Sequence, residues 1–149
     1  MTQVAGPGAP AALTALSALV DAPAGPCPCG LGPSYCACCG RWHAGPLRLQ
    51  APDAALLMRS RYSAHVLQLG AYLQDTWHPS TRPAEAPQFE AGLRWLGLDL
   101  RRHVQTDATH ASVVFVARSK LGGRAHRLSE TSRFVREGGC WFYVDGDIR

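Results

Sequence analysis

Five of the chain's six cysteines fall within thirteen positions, at Cys27, Cys29, Cys36, Cys38 and Cys39 of "PCPCGLGPSYCACCG". Thiols this crowded could hold a metal, form a disulfide knot or relay redox equivalents. The spacing favours metal. A Cys-x-Cys pair and a Cys-Cys pair flank a stretch containing Gly30 and Gly32, which lets the backbone turn back tightly. Cys27, Cys29, Cys38 and Cys39 can then converge on one point. Zinc suits such a set, because it is soft enough for sulfur and asks only for four ligands. Adjacent cysteines bond to each other only with backbone strain, which counts against a disulfide. Four sulfurs also close the shell and leave no position for substrate, so the site reads as structural. Cys36 is the spare thiol, and His43 is a second substitute ligand.

Further along, polar side chains appear where a core is expected. In "HRLSETSRF", His126, Leu128, Glu130, Ser132 and Phe134 share one strand parity. Leu128 and Phe134 mark that parity as the core face. Glu130 and Ser132 must then be hydrogen-bonded or line a cavity, since unpaired burial costs ~1–3 kcal/mol. The next strand offers Trp141, Tyr143 and Asp145 on one parity. Arg59, Arg61 and Tyr62 flank an apolar helical stripe, with Tyr72, Thr76 and His78 near a second helix. The pocket candidates are Arg59, Tyr62, His78, His126, Glu130, Ser132 and Tyr143. Arg59 is expected to meet Glu130. The favoured version is a buried ion pair between helix and sheet. The sharper one is a pocket with Glu130 as base and His78 or His126 nearby. His65 and His110 read as surface residues, His103 as part of a solvated "RRH" run, and Trp77 and Trp95 as core. Trp42 is suited to packing the cysteine segment onto the rest, and Cys140 reads as an inert thiol.

The chain that must position these groups has 149 residues, 46% of them hydrophobic, and a formal net charge of +4. That suits one medium domain, or a small one with an appendage. The charge is too dispersed to give a strong nucleic-acid signal. No apolar run reaches the ~18 residues of a membrane span. Residues 1–24, rich in Ala, Pro and Gly, are expected to be a flexible tail, with an amphipathic turn over Leu13, Leu16, Leu19 and Val20. No Lys or Arg precedes Arg41, so the start does not read as a signal peptide. A cytoplasmic location follows as the expectation, and a reducing compartment again favours metal over disulfides.

From Pro52, Met58, Tyr62, Val66, Leu69, Leu73 and Trp77 recur at helical steps. Asp53 stands where a helix start favours an acid, and Gly70 divides the stretch into a long and a short helix. "QFEAGL" reads as a further short helical turn. Four strands then follow, in "RWLGLDLRRHVQ" (Leu96, Leu98, Leu100 and Val104 on one parity), "ASVVFVARSK", "RAHRLSETSRFVRE" and "CWFYVDG", with Gly-Gly turns between the last three. Helices followed by an antiparallel meander make an α+β pattern.

The cysteine segment resembles the SEC-C motif, the small zinc-binding segment also found at the C-terminus of the SecA preprotein translocase. The match runs through Cys27, Cys29, Gly30, Gly32, Tyr35, Cys38 and Cys39, and departs at Leu31, where the motif usually has Ser. With "ALLMRSRYSAHVLQLGAYLQDTWHPSTRP" and "SRFVREGGCWFYVDG", the chain resembles the YchJ family over roughly residues 25–147. Cys140 is a departure, since that family tends to carry a basic residue there. The resemblance implies a zinc knuckle over 25–45. It also implies a nuclear-transport-factor-2-like domain over 50–149, with helices packed into a curved antiparallel sheet as a cone with a pocket. It brings no reaction with it. The functional expectation is a zinc-binding adaptor whose knuckle contacts a protein partner, the cone serving as scaffold or small-ligand site. The alternative is a small enzyme using general acid–base chemistry in the cone. Dimerisation through the outer sheet face is compatible with the resemblance.

Overall fold

Asp53 starts the longest helix: its Oδ1 accepts from the Leu56 N–H at 2.7 Å, satisfying a donor that the first turn leaves free. In the computed structural model, which describes residues 25–149, a 3-10 turn (Tyr35–Ala37) is followed by three helices, α1 (Gly40–His43), α2 (Ala54–Val66) and α3 (Gly70–Asp75). The tail expected over 1–24 lies outside the described residues. Four strands complete the chain: β1 (Arg94–Gln105), β2 (His110–Leu121), β3 (Arg124–Glu137) and β4 (Cys140–Ile148). They form one antiparallel sheet in the order β1-β2-β3-β4. The fold is α+β, with α2 laid against one face of the sheet and the cysteine knuckle packed on α2. No helix among the described residues is long and apolar enough to cross a membrane.

The two tight turns of the meander use Gly122-Gly123 and Gly138-Gly139, all four with positive φ. Two-residue hairpin turns need that conformation, and glycine adopts it without strain. The break between α2 and α3 falls at Leu67–Leu69, with Gln68 left-handed, and Gly70 is the first residue of α3. "QFEAGL" forms no helix; Gly92, with φ 80°, sits in a turn there. A single helical turn is too short to hold itself. Phe89 instead packs edge-on against His65.

Bulges overturn two parity expectations. Shifts in the β1–β2 register leave Leu96 and Arg101 unpaired. Leu96 is consequently 54% exposed, and Val104 falls opposite Ser112 rather than continuing the inner row of Leu98 and Leu100. A bulge in β4 likewise drops Val144 from the ladder. Tyr143 stays inside opposite Phe134, but Asp145 moves to the outer face, where it and Asp147 grip Arg133. An extra residue shifts every later side chain to the other face, which a strict period of two does not anticipate.

Helix α2 is buried on more than one side. Leu57, Met58, Ser60, Arg61, Tyr62, Ser63 and Ala64 are all buried. Met58, Arg61 and Tyr62 face the cone, while Arg59, Ser60 and Ser63 meet the cysteine knuckle. The helix is therefore the joint between the two candidate sites.

Candidate functional site

The knuckle is shaped by its own backbone. Gly30 N–H donates to Cys27 O at 3.1 Å, and Gly30 and Gly32 both have positive φ. Pro26 and Ser34 form an antiparallel bridge that closes the loop. The 3-10 turn then delivers Cys38, whose N–H donates to Tyr35 O at 3.0 Å. Gly40 is required by close approach, because a Cβ there would lie 2.8 Å from Tyr35 O.

The result is a buried cluster of four thiols. The sulfur atoms of Cys27, Cys29, Cys38 and Cys39 all lie within 4.8 Å of one another, with Cys29 and Cys38 3.6 Å apart. A tetrahedral shell at ~2.3 Å from an ion separates its sulfurs by roughly 3.8 Å, so this set fits a metal. Cys36 is exposed and outside the cluster. The thiols perturb one another. Hydrogen bonds from Cys29 and Cys39 hold Cys27 far below the ordinary thiol range, whereas Cys39 is driven far above it by its bonds to Cys27 and Cys29. Burial pushes Cys38 up to about 11. Four thiolates cannot share this space without a compensating cation.

His43, the substitute ligand, has another role. Its Nε2 donates to Ser60 O of α2 at 2.7 Å, and its Nδ1 accepts from Tyr35 OH at 2.6 Å. Burial lowers its pKa, so the ring is neutral. Cys27 Sγ also lies 3.4 Å from Ser63 Oγ. Arg59 Nη1 donates to Cys29 O at 3.0 Å, and Arg41 Nε donates to Cys38 O at 3.0 Å. Two guanidinium groups thus stand behind a cluster that is negative when ionised. Trp42 is 7% exposed and belongs to the common core.

The second site is a cavity of about 230 Å³ inside the cone, with Arg61, Tyr62, His65, Trp77, Trp95, Glu130, Ser132 and Tyr143 among its walls. Of the residues singled out in the sequence, Tyr62, Glu130, Ser132 and Tyr143 line this cavity. Glu130 Oε1 accepts from Tyr143 OH at 2.9 Å and from Ser132 Oγ at 3.3 Å.

Arg59, His78 and His126 stand elsewhere. Arg59 is turned to the knuckle, and the cone receives Arg61 instead, because two positions are about 200° around a helix. His78 packs beside Phe142 with Nδ1 2.6 Å from Ser80 Oγ and Nε2 2.9 Å from Glu137 Oε2, on the far side of β4. His126 pairs with Ser119 towards the open end of the sheet and is exposed.

Sequence reasoning passed over two cavity residues of consequence. Arg61 is 4% exposed; its Nη1 donates to Leu73 O at 2.9 Å and to Thr76 Oγ1 at 2.6 Å. Its charge lies over the Tyr143 and Trp77 rings, 4.7 and 5.5 Å from their centroids. Burial lowers its pKa to about 10, which leaves it charged at neutral pH. His65, read as a surface residue, is half-buried between Phe89 and Trp95. Burial and the Arg61 charge hold it down to about 4, so it is neutral. The available signal for Arg61 is its place four residues after Leu57, on a buried row.

The comparisons with known proteins cover both sites. The profile of the YchJ middle NTF2-like domain matches residues 53–146. A UPF0225 protein of Bordetella pertussis is 60% identical over 129 residues, which cover 87% of this chain and 96% of that one. A UPF0225 protein of Methylibium petroleiphilum is 61% identical over 123 residues, 83% of this chain and 88% of its own. Among solved structures, the solution structure of a SEC-C motif containing protein from Rhodopseudomonas palustris has a TM-score of 0.68 at 28% identity, covering 81% of this chain and 96% of that one. The crystal structure of another such protein, from Psychrobacter arcticus, has a TM-score of 0.67 at 27% identity and covers 83% and 82%. A cysteine knuckle seated on a cone is thus shared with these SEC-C structures, and with a family profile that matches well over half its length the chain belongs to the YchJ (UPF0225) family.

Proposed function

We propose that this is a zinc-binding adaptor protein. Cys27, Cys29, Cys38 and Cys39 hold the metal, the rim of the knuckle over residues 25–45 contacts a protein partner, and the cone over residues 50–149 is the scaffold and a small-ligand site. The observation that carries the reading is the convergence of four buried sulfurs within 4.8 Å. Zinc is favoured by the all-sulfur donor set. The sulfurs face inward, so partner contact belongs to the exposed rim. There Leu31 is 45% exposed, and just beyond the segment Leu47, 48% exposed, shares a shallow pocket with Arg41. Cytoplasmic location is part of this proposal, since a thiol-rich site persists best in a reducing compartment.

Metal analysis of the purified protein tests the first half: about one zinc per chain is expected, and a ratio near zero sinks it. Affinity capture tests the second half with Leu31→Asp, which leaves every sulfur in place. Partners retained unchanged by that variant count against contact through the rim.

The open cavity supports a second reading, a small enzyme with Glu130 as general base, because Oε2 has no hydrogen-bond partner among the described residues. Turnover of a component of a metabolite extract, lost in Glu130→Gln and kept in Cys36→Ser, would establish it. Unchanged turnover in Glu130→Gln would remove it.

A further inference from the structure

The cone cavity holds one cation and one anion that do not neutralise each other by direct contact. Arg61 spends both Nη1 protons on Leu73 O and Thr76 Oγ1, and its Nε and Nη2 protons have no acceptor among the described residues. Glu130 takes its two hydrogen bonds on Oε1, leaving Oε2 without a donor. Both groups face a space otherwise walled by Met58, Tyr62, Trp77, Trp95, Phe115 and Leu128. A buried guanidinium and a half-buried carboxylate that turn free bonding positions to a cavity favour an occupant that completes them.

The charges limit what that occupant can be. An anion would gain Arg61 but face the Glu130 carboxylate at short range. A cation would meet the reverse arrangement. Either would carry net charge into an aromatic enclosure, where desolvation is costly. A neutral group with an acceptor and a donor on one edge answers both partners at once. The primary amide is the simplest such edge, with a carbonyl oxygen for Arg61 and an N–H for Glu130. At about 230 Å³ the cavity falls below the ~300–1,000 Å³ of drug-sized sites, which indicates a molecule of about one ring. Its walls offer ring faces and edges for stacking.

We propose that the cone cavity binds a small uncharged aromatic molecule with an amide-type edge, read by Arg61 and Glu130. This rests on the small-ligand part of the proposed function and is independent of the metal.

The test uses the full chain, titrated with benzamide, benzoate and benzylamine and followed by the indole N–H signals of Trp77 and Trp95. Trp42, packed in the knuckle, is the internal control, and zinc content is measured on the same samples. Saturable shifts at Trp77 and Trp95 are expected with benzamide, with benzoate and benzylamine at least about tenfold weaker. Glu130→Gln keeps the Oε1 acceptor for Tyr143 and removes the negative charge, so it should strengthen benzoate by about tenfold or more. Benzoate or benzylamine matching benzamide on the wild-type chain overturns the proposal, as does the absence of a saturable shift with benzamide. A Glu130→Gln variant with no gain for benzoate overturns the assignment of Glu130. Full zinc content in a sample that fails these tests leaves the metal reading intact, so the two failures are distinguishable.

Discussion

Glu130 occupies the space that a side chain at position 146 would need. A Cβ built on Gly146 would overlap the Glu130 carboxyl, its Cδ lying only 2.7 Å away. The two residues sit on neighbouring strands, and the β4 bulge turns position 146 inward after Asp145 has turned outward. Glycine is therefore part of what holds the carboxylate in the cavity. Gly146→Ala should push that carboxyl off Tyr143 and Ser132 and cost about 1–3 kcal/mol through the hydrogen bonds lost. In a Glu130→Ala background the same change should cost little, because the overlapping atoms are gone. Urea unfolding of the two single variants and the double variant measures this coupling. Additive effects would contradict it.

The Tyr35–His43–Ser60 chain of hydrogen bonds should stabilise the joint between knuckle and helix. A carbonyl oxygen only accepts, so His43 Nε2 carries the proton and Nδ1 presents a lone pair to Tyr35 OH. Tyr35→Phe removes that donor and leaves Nδ1 buried without a partner. The expected loss is about 1–3 kcal/mol by urea unfolding. His43→Phe removes both bonds, orphans Tyr35 OH and leaves Ser60 O with only its intrahelical donor, so it should cost more than Tyr35→Phe. Equal stability of all three proteins would show that the chain contributes nothing.

Legibility in the sequence depends on how local each feature is. The four-sulfur cluster can be read because its ligands and turning glycines lie within a short stretch, and Gly-Gly marks both hairpins for the same reason. The core face of β3 is legible because Leu128, Glu130, Ser132 and Phe134 run without interruption. Errors begin at bulges and at the two-sided helix. No residue type announces the bulges at Leu96, Arg101 and Val144, yet each turns the later side chains of its strand to the opposite face. On α2, an apolar stripe defines one buried face only. The second face is made of Ser60, Ser63 and Ala64, whose burial depends on the knuckle packed over them. Arg61 is hidden for a related reason: its charge is tolerated inside only because α3 supplies Leu73 O and the residue after it supplies Thr76 Oγ1.

Metal removal should be felt in α2 before it is felt in the sheet. Cys27 Sγ reaches Ser63, and Arg59 and His43 tie Cys29 and Ser60 to one another's elements. Chelation should lower hydrogen-exchange protection of the amides around Ser60–Ala64 by about tenfold or more, while the β2–β3 ladder keeps its protection. Cys38→Ser should behave like the chelated protein, and Cys36→Ser like the untreated one, since Cys36 stands exposed outside the cluster. Loss of protection across the whole sheet at once would instead make the knuckle and cone one cooperative unit.

Stability should also fall in acid through His65. Burial first, and then the Arg61 charge, hold the folded imidazole down to about 4, against a usual 6.5. Between those values the unfolded chain takes up a proton that the folded chain refuses. Falling pH through this window therefore favours unfolding, and the loss is complete near pH 4. The groups around the imidazole are Arg61 on its own helix, Trp95 from β1 and Phe89 from the preceding loop; Glu90 and Glu130 line cavities that His65 shares, and burial with the Arg61 charge outweighs them. The contribution should reach about 2–3 kcal/mol at most. Acid also loosens thiolate–metal bonds, so the comparison must be made against His65→Gln, in which those bonds are unchanged. Wild type should lose more stability than His65→Gln between pH 6.5 and 4, as read by urea midpoints at each pH. Parallel curves would mean that His65 titrates normally and is not held between Arg61 and the aromatic wall.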